Sequence, residues 1–118
     1  MSFNFENETP IYIQIIELIK LEIIKGTYQP GEKIPSVRDL SLKFSVNPNT
    51  IQKGLSELEN MELIYTERTN GKFVTNDISK IESIKKQTIK TMITNFFSDM
   101  QKIGLNNEEI LKIINNKE

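Results

Sequence analysis

The 118-residue sequence contains no cysteine and no histidine. Without these residues the chain can form no disulfide, no thiolate nucleophile and no Cys/His zinc site, and it lacks the commonest general base at neutral pH. The remaining residue types form no recognisable catalytic constellation in the sequence. We therefore predict that the protein is not an enzyme and that it needs neither a cofactor nor a metal.

The sequence also lacks an uninterrupted apolar run and a leader-like N-terminus. The first ten residues contain neither the basic n-region nor the apolar h-region of a signal peptide. The most apolar stretch, Ile11 to Ile24, is too mixed for a membrane span because four polar or charged side chains interrupt it: Gln14, Glu17, Lys20 and Glu22. These features predict a cytoplasmic protein without membrane association.

An excess of positive charge is absent too, since the formal net charge is −1. Residues 1–77 carry 8 Lys/Arg against 11 Asp/Glu, whereas residues 78–118 carry 7 against 5. From residue 33 to residue 53, however, Asp39 is the only acid among four cations: Lys33, Arg38, Lys43 and Lys53. A domain of this kind is expected to bind DNA weakly as a single copy, because each phosphate contact adds only a modest counterion-release term.

Two helices are predicted before residue 45. Thr9 is a candidate N-cap with Pro10 at the first helical position, and Gly26 ends this first helix. A turn and a short extended piece around Lys33-Ile34 follow. Ser36 then caps a second helix, with Asp39 three residues later as in a capping box.

A third helix is predicted after the short turn Ser45-Val46. Asn47 is its N-cap and Pro48 its first residue, where a missing N–H does no harm. At about 100° per residue its apolar side chains fall on one face, next to Gly54, and its outward positions are polar. We expect Gly54 to allow close approach by the second helix.

An alternating pattern after Met61 predicts a β-hairpin, with strands at about residues 64–67 and 72–75. Asn70-Gly71 between the two runs predicts a type I′ turn, and Arg68 and Lys72 lie beside its tip. Three helices followed by a hairpin describe a winged helix-turn-helix. The predicted class is therefore mainly α with a small β-hairpin, and the predicted DNA-binding domain spans residues 1–77.

Two further helices are predicted in residues 78–118, separated by Gly104, the second with Asn106 as cap and Glu109 as its capping-box partner. Their apolar side chains recur at three- and four-residue spacing and exceed what forty residues can bury, so they predict a dimerisation segment. Packing onto the winged domain is the alternative. The candidate dimerisation residues are Ile89, Met92, Ile93, Phe96, Phe97, Met100, Ile103, Ile110 and Ile114.

The runs PGEKIPSVRDL, VNPNTIQKGLSELENMELIY and GKFV resemble the N-terminal domain of GntR-family bacterial transcription regulators. The VNPNT turn and the short two-helix C-terminus resemble the YtrA-type subfamily. This resemblance implies a homodimer on a palindromic operator, usually a repressor. At two places the sequence departs from the family pattern: Pro48 stands where many members have Arg after the turn, and Thr69-Asn70-Gly71 replaces the usual Gly-x-Gly wing.

Carried over by position, the resemblance implies DNA contacts from the start of the second helix, from the third helix and from the wing. Ser36 and Arg38 would contact the DNA backbone or base edges, and Gly71 and Lys72 would lie near the minor groove, with Arg68 beside them. The positions implied for the major groove are Asn47, Asn49, Thr50 and Gln52, with Lys53 close by.

Two other functions fit the same sequence. The winged domain could be a protein-interaction module whose C-terminal helices dock a larger partner. A ligand-gated sensor is the second alternative, in which a small-molecule effector binds a pocket at the dimer interface lined by Phe96, Phe97 and Met100. A salt-dependent shift of duplex DNA would favour the DNA-binding hypothesis over protein docking.

Overall fold

The computed structural model describes residues 8–116 and contains, within them, five helices and one two-stranded antiparallel sheet. The elements are α1 (Ile11–Lys25), α2 (Val37–Phe44), α3 (Pro48–Asn60), β1 (Ile64–Glu67), β2 (Gly71–Val74), α4 (Ile78–Lys102) and α5 (Asn107–Asn116). This order confirms the predicted fold class. The chain forms two compact units, of which the first ends at Glu82 and the second begins at Ser83. The predicted functional domains, 1–77 and 78–118, stay a prediction, and their residues 1–7 and 117–118 lie outside the described residues.

Helix α1 begins one residue later than the sequence suggested, because Pro10 and not Thr9 is the N-cap residue. Pro10 keeps an extended ψ of 140°, and its carbonyl accepts the N–H groups of Ile13 and Gln14. Pro10 itself provides no side-chain cap. At the other end Gly26 adopts a left-handed φ of 95° while the N–H of Thr27 donates to the Glu22 carbonyl, so the predicted glycine stop is confirmed.

Helix α3 lies at the centre of the first unit, where it packs against α1, α2 and β1. Its predicted apolar face is confirmed, since Ile51, Leu55 and Leu58 are fully buried. The neighbour of Gly54 was predicted wrongly. A Cβ atom on Gly54 would lie 3.3 Å from Ile15 Cγ2 and 3.3 Å from the Tyr12 carbonyl, so the helix that approaches closely is α1 and not α2.

The turn between α2 and α3 fixes how the two helices meet. Ser45 ends α2 in the left-handed region, with φ 55° and ψ 47°, and the N–H of Val46 donates to the Ser41 carbonyl at 3.1 Å. A left-handed non-glycine residue is held only when its surroundings determine it. The caps predicted on either side are confirmed, because Ser36 Oγ accepts from the Asp39 N–H and Asn47 Oδ1 accepts from the Asn49 N–H.

The hairpin, called the wing below, is β1 and β2 with their connecting loop. The predicted type I′ turn is wrong: Glu67 pairs with Gly71, so the loop has three residues, and only Gly71 of the Asn-Gly pair has a positive φ, 107°. Gly71 therefore already belongs to β2, and the loop consists of Arg68, Thr69 and Asn70, with the left-handed Gly71 directly after it. This shift moves the second strand from 72–75 to Gly71–Val74.

A short extended segment pairs with the other edge of β2. Lys33 forms a bridge with Phe73, the Ile34 N–H donates to the Lys72 carbonyl, and the Val74 N–H donates to the Glu32 carbonyl, both at 2.9 Å. The extended piece predicted around Lys33-Ile34 is thus confirmed. The pairing of this segment with β2 places the residues just before α2 next to the wing.

The second unit consists of the part of α4 from Ser83 onward, a turn at Gly104, and α5. The predicted capping box of α5 is complete, because Asn106 Oδ1 accepts from the Glu109 N–H and Glu109 Oε1 accepts from the Asn106 N–H, each at 2.9 Å. Within residues 8–116, no helix combines the length and the apolar character that crossing a membrane requires.

Candidate nucleic-acid interface

The N-terminal turns of α3 present polar side chains to solvent. Asn47, Asn49 and Gln52 are exposed, and Thr50 is half-buried. Only two of these side chains have hydrogen bonds within the described chain: Asn47 Oδ1 caps the helix, and Gln52 Nε2 lies 3.4 Å from Ser56 Oγ. The Asn49 amide makes none, so both its donor and its acceptor are available to a ligand.

The start of α2 adds a hydroxyl and a guanidinium to this surface. Ser36 Oγ accepts the Asp39 N–H at 3.0 Å, which leaves the Ser36 hydroxyl proton to donate elsewhere. Arg38 is exposed, and within residues 8–116 its guanidinium has no hydrogen-bond or ion-pair partner. An unpaired guanidinium suits bidentate binding to guanine or phosphate, and an unpaired carboxamide suits adenine. This arrangement can therefore supply the contacts that direct reading of a DNA major groove requires.

Lys53, the cation predicted near the major groove, lies against α1. Its Nζ sits 4.0 Å from the centroid of the Tyr12 ring, a cation–π contact between α3 and α1. Such contacts at exposed sites contribute about 0.5–1 kcal/mol. Since Lys53 remains exposed, its DNA contact stays a prediction, and in this structure its ammonium stabilises the packing of the two helices.

Lys72, the cation predicted for the wing, is bound to the far end of α3. Its Nζ lies 3.1 Å from Glu59 Oε1 and 2.8 Å from Thr66 Oγ1, and its side chain is 17% exposed. Thr66 in turn donates its hydroxyl to Glu59 Oε1 at 2.9 Å. The hydrogen bond from Lys72, followed by that from Thr66, holds the pKa of Glu59 below its ordinary value. We call Glu59, Thr66 and Lys72 the wing strut, because they tie the wing to α3.

Neutralising Glu59 tests the wing strut. The pKa of Glu59 is lowered in the folded protein. Its contribution to the free energy of unfolding is therefore fully present above the unfolded-state pKa and is lost as the pH falls through the folded-state pKa. We expect Glu59→Gln to lower the free energy of unfolding by at most about 1 kcal/mol at neutral pH, because the Glu59 side chain is 40% exposed and solvent screens the ion pair. Urea titrations near pH 7 and near pH 3 should show this difference shrinking at the lower pH. Glu57→Gln, an exposed neighbour on the same helix, is the control, and an equal effect there would remove the role assigned to Glu59.

The tip of the wing faces the start of α2 across a cleft of about 380 Å³. Arg68 and Gly71 line this wing cleft from the hairpin side, and Lys33 and Ser36 line it from the other. Arg68 is exposed, and no described residue pairs with its guanidinium. Lys33 was not among the predicted site residues, although the sequence signal for its extended segment was present. What the sequence could not supply is the pairing of that segment with β2.

Comparison with known proteins bears on this surface. The profile for bacterial regulatory proteins of the gntR family matches residues 11–74, the span that contains α1 through β2. This chain belongs to the GntR family. The resemblance proposed from the sequence is therefore confirmed.

Individual regulators are also similar to this GntR-family chain along most of its length. The HTH-type transcriptional repressor YtrA of Bacillus subtilis is 35% identical over 105 residues, which cover 88% of this chain and 81% of YtrA. A solved GntR family transcriptional regulator from Listeria monocytogenes is 44% identical, with a TM-score of 0.85, covering 95% of this chain and 98% of that one. The family and these relatives establish a DNA-binding transcriptional regulator with a winged-helix fold.

Some of the similar solved structures contain DNA. The DNA-binding domain of AraR, in a crystal structure with operator ORX1, is 29% identical and has a TM-score of 0.59. The match covers 64% of this chain and 99% of that domain. A DNA-binding domain similar to this chain has thus been solved in complex with an operator.

The second unit of the GntR-family chain carries a broad apolar surface, the C-terminal face, formed by residues of α4, α5 and the turn between them. Several large hydrophobic side chains are between 43% and 72% exposed: Ile89, Met92, Ile93, Phe96, Ile103, Leu111, Ile113 and Ile114. Phe97 and Met100 are half-buried, and the ring of Phe97 meets that of Phe96 edge-on at 5.9 Å. Ile110 differs from the other predicted dimerisation residues, because it is only 2% exposed in the single chain.

A groove of about 340 Å³ lies on the same unit. It is lined by Ile93 and Phe97 together with polar side chains, including Gln101 and Asn107, whose amide groups are joined by a hydrogen bond of 2.8 Å. Of the three residues suggested for an effector pocket, only Phe97 lines this groove. A small-molecule effector stays a prediction.

Proposed function

We propose that this protein is a transcriptional repressor that binds an inverted-repeat operator as a homodimer. The observation that carries the proposal is that one short chain has two different surfaces suited to binding. One is the set of largely exposed polar side chains at the starts of α2 and α3, and the other is the C-terminal face. The first fits DNA, and the second fits another copy of the chain.

Recognition of bases is assigned to the N-terminal half of α3. Asn47, Asn49 and Gln52 supply carboxamides that suit adenine, and Thr50 supplies a methyl group that suits thymine. Arg38 and Ser36 would contact guanine or the DNA backbone from α2. In this assignment phosphate contacts set the register of the protein on the duplex, and the base contacts specify the sequence.

The charge balance supports a need for two copies. The sequence up to residue 77 carries more acids than bases, 11 against 8, and four of its lysines have partners: Lys20 with Glu17, Lys43 with Phe44, Lys53 with Tyr12 and Lys72 with Glu59. Few cations then remain for phosphate, so a single copy gains little from counterion release. Two copies on one duplex double both the phosphate contacts and the base contacts.

The C-terminal face supplies a means of joining two copies. Monomeric proteins rarely leave many large apolar side chains exposed together, and most soluble homo-oligomers are two-fold dimers in which the same surface meets itself. Half-sites are then expected one DNA turn or more apart, about 34 Å or longer. Repression is the activity named for YtrA, and binding of an operator is named for AraR. A regulator of chromosomal genes would act in the cytoplasm.

The two alternatives lead to different observations. A winged domain that only docks another protein would bind no duplex selectively. A ligand-gated sensor would bind DNA in one state and release it when a small molecule occupies the second unit, for which the groove beside Ile93 and Phe97 is the first place to look.

Selection of DNA by the full chain tests the proposal directly. Duplexes retained from a random pool should share an inverted repeat, and mass measurement of the complex should give two protein chains per duplex. The affinity for the selected duplex should fall steeply with salt, as counterion release requires. Retention of no common sequence, or of one chain per duplex, would contradict the proposal.

A further inference from the structure

Two lysines lie at the wing, Lys33 and Lys72, and the one that is available to DNA is not the one that the sequence indicates. Lys72 lies in β2 itself, but the wing strut binds its ammonium to Glu59 and Thr66 and leaves the side chain 17% exposed. A cation already neutralised by a carboxylate attracts phosphate weakly. Two of the three ammonium protons of Lys72 are already used in these hydrogen bonds.

Lys33 is placed at the wing by backbone pairing and not by proximity in sequence. Its bridge to Phe73 and the hydrogen bond from Ile34 to the Lys72 carbonyl fix its segment along the edge of β2. Its Nζ lies 3.7 Å and its Cε 3.0 Å from where a Cβ atom on Gly71 would be. The missing side chain at Gly71 therefore makes room for the end of the lysine.

The charge of Lys33 is uncompensated. The side chain is exposed, and its ammonium has no hydrogen-bond or ion-pair partner in the described part of the chain. It shares the wing cleft with the exposed guanidinium of Arg68 and with the hydroxyl of Ser36. The acid on the cleft wall, Glu67, accepts a hydrogen bond from Asn70 at 3.3 Å. Two unpaired cations and a hydroxyl around one cleft match the chemistry that binds a phosphate oxygen.

We propose that Lys33 binds a backbone phosphate of duplex DNA at the wing cleft, and that Lys72 is a positioning residue that holds the wing against α3. This inference rests on the proposed DNA binding and deepens it by naming the wing residue that meets the backbone. It also moves the backbone contact at the wing from Lys72, which the resemblance implies, to Lys33, which was not among the predicted site residues.

The test compares Lys33→Ala with the matched control Lys72→Ala in the full-length chain. The probes are a fluorescently labelled duplex of mixed sequence and the duplex selected by the wild-type chain, titrated at several salt concentrations. Each phosphate contact contributes about 0.9 to the slope of log affinity against log salt. Lys33→Ala should therefore flatten the slope by about 0.9 per bound copy and weaken binding about eightfold per copy at roughly 0.1 M salt. Both duplexes should be affected alike, since a phosphate contact carries no sequence information.

The control variant should behave differently. Lys72→Ala should lower the melting temperature by releasing the wing strut, and should leave the slope as in the wild type. Lys33→Arg keeps the charge and should keep the slope. Lys33→Gln removes the charge and should flatten the slope as Lys33→Ala does. It takes the place of Lys33→Ala if alanine disturbs folding.

Three outcomes would overturn the inference: an unchanged slope in both Lys33→Ala and Lys33→Gln, a slope flattened equally by Lys72→Ala, or no duplex binding by the wild-type chain. The third would overturn the proposed function as well. Arg38→Ala separates failure of the Lys33 role from failure of DNA binding itself. If Arg38→Ala weakens duplex binding while the Lys33 variants have no effect, the protein binds DNA and only the role of Lys33 is refuted.

Discussion

Replacing Asn49 by alanine is expected to weaken binding of the selected operator by about 5- to 150-fold for each half-site, or about 1–3 kcal/mol, the usual contribution of a bidentate side chain to base discrimination. Asn49 is exposed on the second residue of α3, and its carboxamide is unpaired within the described chain. Arg38→Ala should have an effect of the same order. Because neither side chain has a hydrogen-bond or ion-pair partner among residues 8–116, the melting temperature should stay near the wild-type value.

Asn60→Ala is the matched control for Asn49→Ala. It removes the same side chain from the same helix, and Asn60 is also exposed, but it lies at the last residue of α3. Eleven residues at about 1.5 Å each separate the two asparagines by roughly 16 Å along the helix axis. Anisotropy titrations of the three proteins with one labelled duplex provide the measurement. Equal affinity in wild type and Asn49→Ala would remove Asn49 from the interface, and equal losses at both asparagines would mean that the effect is not local.

Introducing a charge into the C-terminal face should have a still larger effect. We expect Phe96→Asp to convert the dimer to a monomer at micromolar concentrations, because a two-fold contact would bury two new carboxylates close to each other without partners. Phe96 is 43% exposed in the single chain, so the substitution should leave the helical content unchanged. Operator affinity should fall by at least about 100-fold, since joining two binding modules raises avidity by about 10²–10⁴ over a single one.

Thr91→Asp is the control for Phe96→Asp. Thr91 is exposed on the same helix, and five residues at about 100° each place it about 140° around the axis from Phe96. Sedimentation velocity and operator titrations should show that this variant remains dimeric and binds normally. A Phe96→Asp protein that stays dimeric, or a Thr91→Asp protein that dissociates equally, would show that the C-terminal face is not the interface.

Local patterns predicted the elements of this fold well. Ser36, Asn47 and Asn106 were identified as helix caps, and each accepts the expected backbone N–H. Capping involves residues two or three apart, so the sequence contains all of its determinants. The same holds for the apolar face of α3, which follows from helical periodicity alone.

Two of the errors arose where a local motif has more than one geometry. Asn70-Gly71 predicts a two-residue turn, but a three-residue loop followed by a left-handed Gly71 also uses that glycine, and only the strand register distinguishes the two. At the start of α1, Thr9 and Pro10 could each take the cap position. The extended ψ of Pro10 decides between them.

The sequence by itself determined the family, the winged helix-turn-helix class, the caps of α2, α3 and α5 and the polar outer face of α3, because each depends on residue types at short, fixed spacing. The tertiary structure alone decided which charges are available at the proposed interface. Lys53 meets Tyr12 from 41 residues earlier in the chain, Lys72 meets Glu59 from 13 residues earlier, and Lys33 reaches Gly71 through strand pairing. The sequence shows which residues are cations. Long-range packing decides whether a partner neutralises such a charge or whether the charge stays free to bind phosphate.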